Sequence, residues 1–336
     1  MKTTKISFFE IESWEKDYLK NQLQGAEVSF FEEKISLENV DSAKDSEIIS
    51  VFTDSEISKE MLSALPKLKM IATRSTGFDQ IDLEEAKKRK IVVCNIPTYG
   101  ENTVAEHTFA LILDLSRNIY QSVKKVKESG FHMDSFRGFD LKDKTIGIIG
   151  IGHIGMHVAR IAKGFEMNVL AFDTHQDKKL AKKLGFTYVA FEDLLKNSDI
   201  ITLHVPYNKY TNHMINSANI HLIKKGAYLI NTARGGVVET SALVSALDSG
   251  ILAGAALDVL EGERDIKEER EILTKGFSEK FDIKTMLQNH ILMERDNVII
   301  TPHNAFNSKE AIQRILETTI FNIQSFINRK PINLVK

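Results

Sequence analysis

A Gly-x-Gly-x-x-Gly motif lies near the middle of the chain, at Gly150, Gly152 and Gly155. It follows an apolar run over Thr145–Ile149 and precedes a helical pattern. In this context the first glycine permits a tight turn, the second lets the backbone approach a pyrophosphate, and the third lets the helix pack on the strand. The helix dipole favours negative charge at its N-terminus. The amides predicted to face the phosphates there are those of His153 and Ile154.

An acidic residue ends the next apolar run along the chain. Asp173 follows Val169–Phe172 and lies beyond Gly155 at close to the spacing of about 20 residues that a ribose-binding acid has in dinucleotide folds. A carboxylate at this place accepts hydrogen bonds from both hydroxyls of the adenosine ribose and repels a 2′-phosphate. Because Thr174–Gln176 contain no arginine to counter that repulsion, the predicted cofactor is NAD rather than NADP.

Three later apolar runs also end in polar residues, and doubly wound α/β folds place ligands at such strand ends. An arginine can hold a carboxylate with two hydrogen bonds and polarise a neighbouring carbonyl. A histidine titrates near neutrality, so it can give and take a hydroxyl proton, and a nearby carboxylate can orient its ring. Beside a nicotinamide cofactor, these groups indicate hydride transfer. The candidates are Arg234 after Tyr228–Ile230, Glu263 after Ala253–Leu257, and His303 after Val298–Thr301.

Short apolar runs alternate with helical patterns along the first hundred residues. Strands separated by helices imply a parallel sheet covered on both faces, so this part is predicted to be a small doubly wound unit. The predicted strands are Ile6–Ile11, Val28–Phe31, Ile48–Phe52, Leu68–Ala72 and Ile91–Cys94.

A helix predicted over residues 101–118 leads into a second alternation with six strands, which fits a dinucleotide-binding sheet. The last segment, Ser308–Asn328, is predicted to form an amphipathic helix that returns to the first unit. The predicted fold class is therefore α/β with two doubly wound parallel-sheet domains. We expect a flavodoxin-like substrate domain over residues 1–100 plus 305–336, and a Rossmann NAD-binding domain over 101–304.

The composition excludes several classes of protein. The chain of 336 residues is 43% hydrophobic and 27% charged, which is typical of a globular protein and not of a disordered one. The net charge of −2 offers no strong field, so neither nucleic acid nor a membrane is a predicted partner. Cys94 is alone, which excludes a disulfide framework and a multi-cysteine metal site, and we expect it to be buried. No leader or membrane segment is visible, so a cytoplasmic location is expected.

The motifs, in their order along the chain, resemble those of the D-isomer-specific 2-hydroxyacid dehydrogenase family over nearly the whole length. This resemblance implies that Arg234 anchors the substrate, that His303 is the acid/base, and that Glu263 is its partner. The segments that carry the resemblance are Gly150–Gly155, Leu203–Pro206, Asn231–Gly235, Ala256–Val259 and Thr301–His303.

The resemblance also implies further contacts. Asp258 would face the nicotinamide amide, and Val104 would lie near the nicotinamide ring. The backbone amides of Thr76 and Gly77 would bind the substrate carboxylate. A homodimer is usual in the family. The remaining implied cofactor contacts are Val205, Pro206, Thr211, Thr232, Ala233 and Arg234.

Within the family the chain is most similar to the D-lactate and D-2-hydroxyisocaproate branch. Tyr99, Phe52 and Phe306 fall where that branch places aromatic residues around the substrate, although both phenylalanines also fit ordinary core packing. This favours a small 2-keto acid, with pyruvate to D-lactate as the first choice. Two alternatives stay open: a larger 2-keto acid such as 2-ketoisocaproate, and a non-catalytic NAD-sensing module like the corepressors that resemble this family.

One segment departs from the family pattern. Glu263 and His303 are separated by more residues than is usual, and the interval from Arg264 to Asp296 is rich in mixed charge. Long insertions of this kind decorate a surface, contact another subunit or cover an active site. The sequence leaves these alternatives open.

Overall fold

The computed structural model describes residues 3–131, 136–263, 266 and 282–335. The chain forms two compact units, Met1–Tyr99 with Ser308–Lys336 and Gly100–Asn307. Each unit has its own parallel sheet, of five and of seven strands. The predicted α/β class is therefore confirmed.

The first unit has the strand order β2-β1-β3-β4-β5, with every neighbouring pair parallel. β3 and β4 are buried along their whole length because helices cover both faces of the sheet. The order reverses between β1 and β3, which makes that point of the edge the expected place for a ligand. The strands are β1 Lys5–Phe8, β2 Glu27–Phe30, β3 Ile48–Val51, β4 Met70–Thr73 and β5 Val92–Cys94, and the helices are α1 Ser13–Gln22, α2 Lys59–Ala64, α3 Leu83–Lys88 and the C-terminal helix Lys309–Ile327.

The second unit is a parallel sheet of order β12-β11-β10-β9-β6-β7-β8. Its order reverses between β9 and β6, at the strand that precedes the glycine motif. The strands are β6 Thr145–Ile149, β7 Asn168–Phe172, β8 Thr187–Tyr188, β9 Ile200–Leu203, β10 Ala227–Asn231, β11 Leu252–Leu257 and β12 Val298–Ile300. The helices are α4 Glu101–Arg117, α5 Ile119–Ser129, α6 His153–Gly164, α7 Lys178–Leu184, α8 Phe191–Asn197, α9 Thr240–Asp248 and α10 Ile283–Met293.

Two features of this unit differ from expectation. The seventh strand, β8, has two residues and pairs only with β7, so it is too short to show a periodicity in sequence. The helix predicted over 101–118 does not end the helical structure there. Asn118 adopts a left-handed conformation, with φ of 50°, and α5 continues directly after it. A left-handed residue ends one helix while leaving the chain free to begin the next.

Some expectations concern single residues or segments. Cys94 is fully buried, as predicted, and burial raises the pKa of its thiol to about 11. None of the helices in the described parts of the chain is long and apolar enough to cross a membrane. Of the charged interval 264–296, residues 264–265 and 267–281 lie outside the described residues. Its described part contains α10.

Candidate active site

The glycine motif forms a cradle in which two glycines are required by packing. Gly150 has φ of 93°, and a Cβ there would lie 2.5 Å from the His204 carbonyl oxygen. A Cβ on Gly155 would lie 2.1 Å from the Gly150 oxygen. A Cβ on Gly152, by contrast, would meet nothing within 4 Å. The first and third glycines therefore fit the strand–helix turn, while the second borders open space where a phosphate can approach.

Helix α6 begins within this motif, at His153. Gly152 is its N-cap residue, and no described side chain caps the helix. The first backbone bond of this turn runs from the Met156 amide to the Gly152 oxygen at 2.9 Å. The preceding amides, including those of His153 and Ile154, have no partner one turn earlier in the helix, so they suit an anionic group.

Asp173 stands at the end of β7, beside the same turn. One carboxylate oxygen accepts from the Ile151 amide at 2.8 Å, and the other accepts from the His175 amide at 2.9 Å. Because a carboxylate has about four acceptor sites, two remain for the ribose hydroxyls. The oriented acid, the open cradle and the uncapped helix together fit a dinucleotide without a 2′-phosphate.

Replacing the acid gives a test of this assignment. We expect Asp173→Ala to weaken NADH binding by about 10- to 100-fold, because hydrogen bonds to a charged group contribute about 1.5–3 kcal/mol. The preference for NADH over NADPH should fall, since repulsion of the 2′-phosphate is lost. Steady-state kcat/KM with each cofactor measures the ratio. Asp177→Ala, which removes the exposed cap of α7, is the matched control. A ratio equal to that of the unchanged protein would argue against the ribose role.

The segment after β9 carries other predicted cofactor contacts, Val205, Pro206 and Thr211. The Thr211 hydroxyl donates to the Pro206 oxygen at 2.6 Å, which closes the turn. His204 shares a hydrogen bond of 2.9 Å with Thr202 through Nε2, while its covered Nδ1 has no partner among the described residues. Burial lowers the pKa of His204 to about 3, so this ring is neutral near pH 7.

Arg234 sits in a short loop after β10. The Asn231 side chain organises the loop by donating to the Arg234 oxygen at 2.9 Å and accepting from the Ala233 amide at 3.0 Å. The neighbouring Thr232 hydroxyl lies 3.0 Å from that of Thr108 on α4. The half-buried guanidinium of Arg234 also donates to the Ala233 oxygen at 2.8 Å. This loop thus holds Arg234 together with two further predicted cofactor contacts, Thr232 and Ala233, in one hydrogen-bonded turn.

Gly235 lies where this loop packs against the loop that carries Glu263. A Cβ on Gly235 would lie 2.0 Å from the Leu260 carbonyl carbon and 2.3 Å from the Glu261 nitrogen. Only glycine permits this approach, because backbone atoms cannot move aside as a flexible side chain can. The Arg234 and Glu263 segments are therefore packed against one another, main chain to main chain.

The predicted histidine and acid are brought together across 40 residues of sequence. His303 Nδ1 and Glu263 Oε1 lie 2.8 Å apart, and the two side chains are 22% and 29% exposed. Since Nδ1 faces the carboxylate, Nε2 is the ring nitrogen left for a substrate. Nε2 makes no hydrogen bond to a described residue.

Asp258 has a role that the sequence did not reveal. Its carboxylate, which is 1% exposed, accepts from the Thr301 hydroxyl at 2.6 Å and from the amides of Asn304 and Ala305 at 2.9 Å each. These bonds hold the loop around His303, which has an unfavourable φ of 54°. No spacing rule connects an acid after β11 with amides after β12. The nicotinamide contact implied for Asp258 stays a prediction.

The predicted substrate residues divide between the units. Thr76 and Gly77 lie in an accessible loop, and neither amide donates to a described residue, which suits a carboxylate ligand. Phe52, after β3, and Tyr99 are half-buried in the same unit, and the Tyr99 oxygen accepts from the Arg314 guanidinium. In the second unit, Val104 is buried in α4 and Phe306 is half-buried beside Gly100.

An open cleft of about 540 Å³ lies at the carboxyl ends of β1 and β3. Phe52 lines it, together with Glu10, Glu12, Glu32 and Asp54, and the only cation in its lining is that of Lys34. This acidic lining would repel the carboxylate of a keto acid. The accessible amides of Thr76 and Gly77 lie outside this lining, and their role in binding a carboxylate stays a prediction.

Comparison with known proteins agrees with this architecture. Residues 109–305 match the NAD binding domain of the D-isomer specific 2-hydroxyacid dehydrogenases. A D-specific alpha-keto acid dehydrogenase of Enterococcus faecium is 40% identical over 308 residues, which cover 91% of either chain. D-lactate dehydrogenase of Aquifex aeolicus, solved with NAD and lactic acid, has a TM-score of 0.87 and 39% identity, covering 97% of this chain and 96% of that one. D-2-hydroxyisocaproate dehydrogenase has a TM-score of 0.81 and 29% identity, covering 98% and 99%.

Two parallel α/β units with a dinucleotide cradle are typical of NAD-dependent oxidoreductases. The chain belongs to the D-isomer-specific 2-hydroxyacid dehydrogenase family. Its cofactor is NAD.

Proposed function

We propose that this protein reduces a small 2-keto acid to the D-2-hydroxy acid, with pyruvate to D-lactate as its principal reaction. The observation that carries the proposal is the bond between His303 Nδ1 and Glu263, which leaves Nε2 for the substrate oxygen. The predicted aromatic residues Phe52, Tyr99 and Phe306 support a short apolar side chain. The likeness to a D-lactate dehydrogenase solved with lactic acid supports the choice of pyruvate.

Each chemical role follows from a side chain. The Gly150–Gly155 cradle and Asp173 would hold NADH, which would supply the hydride for the carbonyl carbon. Arg234 holds the substrate carboxylate and polarises the carbonyl, because its planar fork matches two oxygens. His303 gives the proton from Nε2 to the carbonyl oxygen as the C–H bond forms, and it takes that proton back in the reverse direction. Glu263 holds the ring by Nδ1, so that Nε2 is the nitrogen that exchanges the proton.

Further roles are proposed for the two units. The first unit, predicted over residues 1–100 and 305–336, is the substrate domain, with Thr76 and Gly77 binding the carboxylate. The second unit, predicted over 101–304, binds NAD. We also propose a cytoplasmic homodimer. α5 and α10 of the second unit support it, because each presents several exposed apolar residues, and grouped apolar surface is typical of contacts between proteins. Those residues are Ile119, Tyr120, Val123, Val126, Ile283, Leu287 and Ile291.

The experiment that tests the proposal is a panel of initial rates of NADH oxidation. Pyruvate, 2-ketobutyrate, 2-ketoisocaproate, phenylpyruvate, glyoxylate and hydroxypyruvate serve as substrates, and chiral chromatography identifies the product. The highest kcat/KM on pyruvate with a D-product would support the proposal. Discrimination of about 10- to 200-fold is expected between acids that differ by one methylene in a well-fitted pocket.

Two outcomes would favour other functions. A maximum on 2-ketoisocaproate would keep the mechanism and transfer the proposal to a larger acid, which the likeness to D-2-hydroxyisocaproate dehydrogenase supports. Binding of NADH without turnover on any acid would favour an NAD-sensing module. Either result would overturn pyruvate as the principal substrate.

A further inference from the structure

Phe52 is held by an unusual set of buried side chains in the first unit. It follows β3 at the point where the strand order reverses, so its ring stands where doubly wound sheets bind ligands. Its side chain also lines the open cleft. The interactions that fix it come from three residues distant in sequence, Glu10, Arg74 and Gln80.

Glu10 holds the main chain of the turn that begins at Phe52. Its carboxylate accepts from the Phe52 amide and from the Asp54 amide, each at 2.9 Å, and from the Ser55 hydroxyl. Glu10 itself has φ of 55°, a conformation that is rare for a residue other than glycine. The carboxylate thus replaces the backbone partners that a loop lacks, at the cost of local strain.

Arg74 and Gln80 complete the support. The Arg74 guanidinium, which is 2% exposed, donates to the Phe9 and Glu10 oxygens at 2.8 and 2.6 Å, and its carbon lies 5.8 Å from the centre of the Phe52 ring. Gln80 donates to the Phe52 oxygen at 2.9 Å. The amide, the carbonyl and the ring of Phe52 are therefore each contacted by a different buried or half-buried polar side chain.

We propose that Glu10 is a positioning residue, which fixes Phe52 so that the phenylalanine ring limits the size of the substrate side chain. The proposal rests on the proposed reduction of 2-keto acids. The negative charge of Glu10 also favours the buried guanidinium of Arg74, so this one carboxylate acts both on the turn at Phe52 and on the cation beside its ring. A residue whose amide, carbonyl and ring are each held has less freedom to move and admit a longer side chain than one whose turn is loosened.

The expected result concerns the ratio of kcat/KM for pyruvate to that for 2-ketoisocaproate. Glu10→Gln retains the size of the side chain but leaves one acceptor oxygen for three donors, so the turn loosens. We expect this ratio to fall by about tenfold, whichever acid the unchanged protein prefers, because the larger acid gains relative to the smaller. Gln80→Met, which removes the donor to the Phe52 oxygen, should shift the ratio in the same direction.

The matched control is Asp82→Ala, which removes the side-chain cap of α3 in the same unit. It should lower the melting temperature without changing the ratio. An unchanged ratio in Glu10→Gln, or an equal change in Asp82→Ala, would overturn the proposal. If the unchanged protein reduced none of the keto acids, the proposed function itself would be overturned.

A second measurement tests how firmly residue 52 is held and does not depend on catalysis. In a Trp14→Phe background, Phe52→Trp provides the sole tryptophan of the chain. Adding Glu10→Gln should increase acrylamide quenching of its fluorescence, because the indole becomes more exposed when the turn loosens. Quenching that is the same with and without Glu10→Gln would overturn the proposal even if the protein reduces no keto acid.

Discussion

His303→Ala is expected to lower kcat by about 10²- to 10⁴-fold, the usual contribution of a positioned acid or base. The substitution removes Nε2, the only nitrogen of the ring left open by the bond to Glu263. The Kd for NADH should stay nearly unchanged, because the cradle around Gly150 and the acid at Asp173 belong to other segments. Stopped-flow measurement of a single turnover, together with NADH fluorescence titration, separates the two quantities.

A matched control for this variant is His221→Ala, which removes an exposed histidine of the same unit. It should retain full kcat. Turnover of His303→Ala at a rate close to that of the control would refute the acid/base role. Glu263→Gln should give a smaller loss than His303→Ala, since the ring stays but its orientation is less well defined.

Gly235→Ala is expected to lower kcat/KM by about 100-fold, although the residue does not itself do chemistry. The added Cβ would lie 2.0 Å from the Leu260 carbonyl carbon. The main chain around Arg234 and the main chain before Glu263 must therefore move apart. A displacement of about 1 Å at a catalytic group costs on the order of 10²-fold in rate. Initial rates over a range of substrate concentrations measure the loss.

The control for this variant is Gly164→Ala in α6. A Cβ there would meet nothing within 4 Å, and alanine favours a helix. That variant should keep both activity and melting temperature. If Gly235→Ala had the activity of Gly164→Ala, the two loops would not need their close approach for catalysis.

Local patterns in the sequence predicted a large part of this protein. Apolar runs separated by helical segments predicted two parallel sheets, because only a sheet buried on both faces has strands without polar positions. The glycine spacing before α6 predicted the dinucleotide cradle, since a turn of that shape excludes a Cβ at Gly150 and Gly155. Asp173 was predictable because a single β-α-β unit spans the distance between it and the cradle. Each of these features depends on residues that are close together in the sequence.

Other features depend on contacts between segments that no periodicity connects. Glu263 and His303 could be predicted as candidates from the sequence, but only the fold shows His303 Nδ1 and Glu263 Oε1 at hydrogen-bond distance. The bonds of Asp258 to the loop around His303 join residues 43 to 47 apart. β8 was missed for the opposite reason, because two residues are too few for any pattern.

The same holds for the support of Phe52. Glu10 and the turn that it holds are 42 to 45 residues apart, and Arg74 and Gln80 reach that turn from the segment after β4. In sequence Glu10 is one of many acidic residues, and nothing distinguishes it from its neighbours. The class of fold, the cofactor and the types of reacting groups could be predicted without the structure, because they follow from residue identity and short spacing. Which groups touch could not be predicted, because strands distant in the chain become neighbours only when the sheets form.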